Sequence, residues 1–196
     1  MKKVVITQKA LALDDFFQVE EAHLQYELFN GEMSRPVRRF SLERGNSAAV
    51  LVYNLDTQKI ILINQFRYPT YKNGHGWLTE IIAGMVDPGE KPEESARREL
   101  LEEAGLVVST FETICSFYPS PGGSSEMVFL YYAEVSGEFA LYNKTGGLPG
   151  HGEDIISLEM TLDDALEDIR KGKIVDAKTI MAIVWLENRM LKKSHS

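Results

Sequence analysis

Cysteine is almost absent from this chain of 196 residues. Cys115 stands alone, which excludes an internal disulfide framework and a thiolate zinc cluster. Long apolar runs are also missing. "SAAVLVYN" and "MVFLYYAEV" are strand-length, far short of the ~20 residues of a membrane-spanning helix, so no membrane partner is expected. The opening "MKKVVITQKALALDD" carries two lysines but no sustained apolar core and no cleavage pattern, so the expected compartment is the cytoplasm. Positive charge is scarce: 21 Lys and Arg face 29 Asp and Glu, a net charge of −8, and no basic stripe appears. Nucleic acid is therefore not expected as a partner. If the substrate is an anion, the global field will not steer it in, and local arginines or bound cations must. Histidine is sparse too. His23, His75, His151 and His195 are scattered without metal-ligand spacing and are read as non-catalytic. Cys115, in "TFETICSFYPSP", has no histidine near it in sequence and is read as a buried structural thiol.

What is present describes an ordinary globular protein. With 44% hydrophobic and 26% charged residues, the length allows one domain with a proper core and a short extension. The first forty-five residues read as strands, with alternation through "QVEEAHLQYELF", a turn signal at Asn30-Gly31 and a return through "EMSRPVRRFSLE". Further strands are expected at "SAAVLVYNL", "KIILINQFRY", "WLTEIIAG", "TFETICSFY", "EMVFLYYAEV" and "DIISLEM". Three helices are expected. Pro92 to Ala104 has Pro92 in the first turn, Glu93 and Glu94 at the positive end of the dipole and Gly105 as the stop. "TLDDALEDIRKG" has Thr161 as N-cap, and a third helix runs from about Asp176 to Lys192. Strands interrupted by helices point to an α/β layered domain carrying a small β extension.

The first helix is unfavourable as a bare surface. Glu99, Glu102 and Glu103 fall within about 100° of arc at 3.6 residues per turn. Like charges four apart destabilise by about 0.2–0.5 kcal/mol per pair, and these lie at the negative end of the dipole. A solvated acidic face is the ordinary reading of such a run. The wider spacing says more. Gly84, Glu90, Arg98-Glu99-Leu100, Glu102-Glu103 and Gly105-Leu106 fit GX5EX7REUXEEXGU, with U bulky and apolar, at every fixed position. Clustered hard oxygens suit Mg²⁺, which takes about six oxygen ligands and keeps several as water or substrate phosphate.

This box resembles that of the Nudix hydrolases, and the resemblance runs from about Arg44 to about Trp185. "LERGN", "QFR", "EIIAG", "SPGGSSE" and "GEDI" are similar to the branch that splits ADP-ribose and GDP-mannose. The resemblance implies an α/β/α sandwich with a mixed sheet at 46–196 and an N-terminal antiparallel β extension at 1–45 that pairs subunits into a homodimer. It implies two or three Mg²⁺ ions, with Mn²⁺ as a possible substitute, and a nucleoside diphosphate sugar as substrate. Glu99 and Glu103 become the main metal ligands, with Glu102 in support and the Ala83 carbonyl completing the shell. Glu90 and Arg98 orient the ligand carboxylates. Arg67 grips the substrate, and Arg38 and Arg39 are weaker candidates for reaching the nucleotide across a dimer. Glu80 and Met85 correspond to positions lining the base and ribose pocket, although Met85 could equally be core. Pro121, fifteen residues after Leu106, with Gly122 and Glu126 in the same loop, belongs to substrate selection. A glutamate on a loop before the last strand serves the attacking water; Glu153 is chosen, with Asp154 beside it. The alternative from another class is a Nudix-fold module that binds a nucleotide sugar without cutting it.

Overall fold

The computed structural model describes residues 1–108, 110–137, 145–146 and 154–194. They fall into two compact units, Met1–Asn46 with Tyr118–Met127, and Ser47–Phe117 with Val128–Ser196.

In the first unit, β1 (Val4–Asp14), β2 (Gln18–Tyr26) and β3 (Val37–Glu43) form an antiparallel sheet in that order. Register shifts between Ile6 and Gln8 and between Leu11 and Leu13 bend β1 as bulges do. β1 is an edge strand exposed along its whole length, with Val4, Ile6, Leu11 and Leu13 each at least half exposed. The Asn30-Gly31 turn lies in a wider loop than a two-residue hairpin. Leu28 N–H bonds to the Glu32 carbonyl at 2.8 Å, Gly31 takes φ +88°, and β3 resumes only at Val37. The Tyr118–Met127 segment joins this unit through β3. Leu42 N–H donates to the Gly123 carbonyl at 2.8 Å, and Ser125 N–H to the Leu42 carbonyl at 3.2 Å.

The second unit is built from β4 (Ser47–Asn54), β5 (Lys59–Phe66), α1 (Tyr68–Tyr71), β6 (Trp77–Glu80), β7 (Ile82–Met85), α2 (Pro92–Ala104), β8 (Glu112–Phe117), β9 (Val128–Val135), β10 (Thr145–Gly146), β11 (Ile155–Thr161), α3 (Leu162–Arg170) and α4 (Ala177–Ser194). The sheet runs β10-β11-β5-β4-β9-β8; β4 and β9 are parallel and the other neighbours antiparallel. β4 and β5 pair only through 52–54 and 59–61. Beyond that they part, and the fork is filled by β6 on β5 and β7 on β4.

"WLTEIIAG", expected as one strand, is therefore two. The break is at Ile81, whose N–H bonds to Thr179 Oγ1 at 2.9 Å instead of a neighbouring strand. The one-turn helix α1, stiffened by Pro69, was also not anticipated.

Strand alternation divides the core between two faces. Ala48, Val50 and Val52 of β4, Ile61 and Ile63 of β5, and Ile82 pack under Ala96, Leu100 and Ala104 of α2. Ala49 and Leu51 of β4, Ile60 and Leu62 of β5, and Ile81 pack under Ala165 of α3 and Ala182, Ile183 and Leu186 of α4. The result is the expected α/β/α sandwich with a mixed sheet. Each fully buried Leu or Ile contributes about 1.5–3 kcal/mol, which holds α2 in place despite its charge. α2 ends as the sequence predicts: Gly105 takes φ +66°, with Gly105 N–H on the Leu101 carbonyl and Leu106 N–H on the Leu100 carbonyl, both at 3.0 Å. Thr161 caps α3 by accepting from Asp164 N–H at 3.1 Å. No described helix is long and apolar enough to cross a membrane.

Candidate active site

α2 presents its carboxylates around one guanidinium. Arg98 Nη1 donates to Glu99 Oε1 at 2.6 Å and to Glu102 Oε2 at 3.3 Å. Its Nη2 donates to the Met85 carbonyl at 3.0 Å and to Glu90 Oε2 at 3.2 Å, and its Nε lies 3.4 Å from Glu90 Oε1. Glu90 also accepts from Ser95 Oγ at 2.5 Å. The Arg98 guanidinium and the Ser95 hydroxyl hold the Glu90 carboxyl below its ordinary range. Burial works against the Arg98 charge, but Glu90 and Glu99 together raise its pKa. One arginine thus ties β7, the loop carrying Glu90 and two of the helix glutamates into a single hydrogen-bonded group.

Gly84 of β7 packs directly on this group. A Cβ built there would fall on the Glu99 carboxylate, inside any allowed contact. A methyl group here would displace the Glu99 side chain from its present place, so close approach, not backbone conformation, is what the glycine serves. Next to it, Glu103 turns inward. It is 8% exposed, its Oε2 accepts from Ala83 N–H at 3.4 Å, and its carbonyl accepts from Ser157 Oγ at 3.4 Å. Burial, and then the charge of Glu99, push the Glu103 carboxyl up to about 8, with Arg67 and the Ala83 N–H pulling it partly back. Both causes of that shift, burial and like charge, are ones that a cation beside the carboxylate would offset.

Among the described residues no three His, Cys, Asp or Glu side chains form a closed metal cage. The donor set still fits a magnesium ion: Glu99 and Glu103 are hard oxygen donors one helical turn apart, with Glu102 beside them. An ion that keeps water and substrate oxygens in its shell needs few protein ligands.

A second charged group stands where β5, β6 and α4 meet. Glu80, at 1% exposure, receives Arg67 Nε on Oε1 at 2.7 Å and the Lys178 ammonium on Oε2. Lys178 also bonds to Asp176 Oδ1 at 3.0 Å, and Asp176 Oδ2 caps α4 by accepting from Thr179 N–H at 3.0 Å and Thr179 Oγ1 at 2.5 Å. Burial opposes the Arg67 charge, while Glu80, Glu103 and Asp176 raise its pKa on balance. Both Glu80 oxygens are engaged by cations of the chain itself. Sequence reasoning missed Lys178, Asp176 and Thr179; "DAKT" carries the signal of an Asp cap two residues before a lysine.

Met85 is 40% exposed and offers its carbonyl to Arg98. Arg38 and Arg39 are on β3 in the first unit. Arg38 grips Glu21 bidentately at 2.6 and 2.7 Å, and Arg39 Nη1 donates to the Arg38 carbonyl at 3.0 Å. Pro121 and Gly122 sit in the turn closed by Ser124 N–H on the Ser120 carbonyl at 3.0 Å, and Glu126 pairs with Arg44 at 3.4 Å; all belong to the first unit. Glu153 and His151 lie outside the described residues, and Asp154 is exposed just before β11. Cys115 is half-buried, not fully buried as expected, with its thiol 3.6 Å from Met181 Sδ and its pKa raised by burial.

Comparison with known proteins agrees with this architecture. The NUDIX domain model matches residues 43–182. An ADP-ribose pyrophosphatase of Escherichia coli K12 is 37% identical over 173 residues, covering 88% of this chain and 82% of its own. A GDP-mannose pyrophosphatase of Cronobacter sakazakii is 41% identical over 162 residues, covering 82% of each. One from Citrobacter koseri is 34% identical over 192 residues, covering 97% of this chain and 98% of its own. A solved ADP compounds hydrolase superposes with a TM-score of 0.69 at 19% identity, covering 99% of this chain and 97% of that one, which is a likeness of fold. With its box intact from Gly84 to Leu106 and the model matched from residue 43 to 182, the chain belongs to the NUDIX family.

Proposed function

We propose that the chain hydrolyses the diphosphate linkage of a nucleoside diphosphate sugar with the help of Mg²⁺. ADP-ribose is the first choice, giving AMP and ribose 5-phosphate; GDP-mannose is the second, giving GMP and mannose 1-phosphate. The observation that carries this reading is the packing of Gly84 against Glu99 beside the buried Glu103. Paired hard carboxylate donors of this kind suit a divalent cation, and a diphosphate is the anion such a cation would hold. The substrate class is supported by relatives named for ADP-ribose and for GDP-mannose.

Glu99 and Glu103 would hold the metal, with Glu102 in support and the Ala83 carbonyl nearby; Mn²⁺ could replace Mg²⁺, and two or three ions are envisaged. The bound metal supplies charge neutralisation at the diphosphate and a more acidic water. Arg98 and Glu90 fix the ligand carboxylates, as outer partners of metal sites do. Arg67, steadied by Glu80, offers its guanidinium to a phosphate, a fit that lysine would not reproduce. Water adds to phosphorus, the anhydride P–O bond breaks, and Glu153 takes the proton. The chain acts in the cytoplasm as a homodimer paired through residues 1–45, and the exposed apolar edge of β1 supports that pairing. Arg38 and Arg39 then serve the partner's nucleotide, and the loop of Pro121, Gly122 and Glu126 shapes substrate choice.

The test is a panel of nucleotide sugars incubated with the protein, Mg²⁺ and a phosphatase that acts only on monophosphate products. Phosphate release from ADP-ribose, or else GDP-mannose, is expected. Tight binding of a nucleotide sugar without any release would replace this reading with that of a binding module.

A further inference from the structure

Gln65 of β5 is 6% exposed, yet its Nε2 has no hydrogen-bond acceptor among the described residues. A buried amide donor left unmade costs about 1–3 kcal/mol, so the position calls for an explanation. The two other such nitrogens among the described residues, Arg44 Nε and Arg189 Nε, are single edges of guanidinium groups that pair elsewhere, with Glu126 at 3.4 Å and Glu112 at 2.6 Å. Gln65 has no charge partner of that kind to account for it.

Its place in the sheet is informative. Ile61 and Ile63 pack in the cluster under α2, and strand alternation carries Gln65 and then Arg67 along the same face. Across the sheet Ile63 is paired with Glu80 on one side and with Ser157 on the other; Ser157 is the residue whose hydroxyl reaches the Glu103 carbonyl. Gln65, paired with Leu78 and Ile155, therefore stands one pleat beyond the Glu103 end of α2 and one pleat before Arg67. Glu80, across from Ile63 one pleat back, already receives Arg67 and Lys178.

We propose that Gln65 is a substrate-binding residue, its Nε2–H donating to an oxygen of the substrate diphosphate alongside Arg67. The inference rests on the diphosphate reading above. An uncharged donor suits this spot, since a third cation beside Arg67 and Lys178 would compete for Glu80, whereas an amide adds a directed hydrogen bond without altering the charge balance. In the proposed complex the anion accepts from this donor.

The test uses Gln65→Met, which keeps volume and removes the donor, and Gln65→Glu, which keeps shape and replaces the donor with an anion. Binding of the α,β-methylene analogue of the preferred diphosphosugar is followed by calorimetry with Mg²⁺, and urea midpoints are measured without ligand. Q65M is expected to be at least as stable as the natural chain, because an orphan donor is gone, and to bind the analogue about tenfold more weakly, with Q65E weaker still. Equal binding within twofold by Q65M overturns the proposal, as the amide would then serve only a trapped water. A Q65M chain that is clearly less stable or unfolded overturns it as well, by showing that the amide is already satisfied in the fold. Failure of the natural chain to bind any analogue would instead remove the diphosphate reading itself.

Discussion

Replacing Glu103 by glutamine should stabilise the metal-free protein, and the gain should depend on pH. In the unfolded chain this carboxyl titrates near 4.5, and in the folded chain without metal near 8. Between those values the folded state keeps a proton that the unfolded state has lost. Stability therefore falls as pH rises through the window, by ~1.4 kcal/mol per pH unit, and roughly 4–5 kcal/mol in all. Set against a typical domain stability of about 5–15 kcal/mol, that is a large share. The E103Q chain carries no such penalty, and its amide oxygen can still accept from Ala83 N–H. Urea unfolding in EDTA should show E103Q the more stable chain at pH 8.5 and the two chains converging near pH 4.5. Saturating Mg²⁺ should narrow that gap by more than half, because a ligand at a hundred times its Kd adds about 2.7 kcal/mol to the chain that binds it. Turnover of E103Q should fall about a thousandfold, roughly 4 kcal/mol of barrier. A stability gap that stays constant from pH 4.5 to 8.5, or a variant that keeps most of its activity in saturating Mg²⁺, would refute this account of Glu103.

Gly84→Ala places a methyl group on the Glu99 carboxylate; activity should fall by about two orders of magnitude or more, while circular dichroism stays native, and a fully active variant would show that β7 need not approach α2 so closely. Glu153→Gln should lower the maximal rate with Mg²⁺ and substrate affinity nearly intact; the opposite pattern, a large loss in Asp154→Asn and almost none in Glu153→Gln, would move the water-activating role by one residue. For the shared site, mixing Arg39→Ala and Glu103→Gln chains should give more activity than the two added separately, and light scattering that finds a fully active monomer of 22.1 kDa would end that idea.

Local and periodic features were legible in the sequence. The span of α2 and its Gly105 stop, Thr161 as a cap, and the apolar runs of β4 and β5 all follow from spacing within a few residues. Features decided by distant partners were not. "WLTEIIAG" reads as one strand because its break depends on Thr179, 98 residues away, taking the Ile81 N–H. The union of the Pro121 loop with β3 rests on bonds to Leu42 across some eighty residues. The engagement of Glu80 by Lys178 joins β6 to the start of α4, which nothing in "DAKT" connects to "WLTE". The box displayed its carboxylates plainly, and the family resemblance set Glu103 above Glu102, yet spacing alone does not say which one turns inward; that depends on how α2 lies on the sheet, which buries Glu103 and leaves Glu102 more open.

The break at Ile81 also gives the protein an internal gauge. An amide held by a ladder partner exchanges its hydrogen when strands separate, but the Ile81 amide is held by a hydroxyl on α4. Its exchange rate thus reports the undocking of that helix, while its neighbour Ile82, across from Val50 in β4, reports opening of the sheet. Two adjacent amides on one chain read out two separate motions, one on each side of the strands that carry the charged groups.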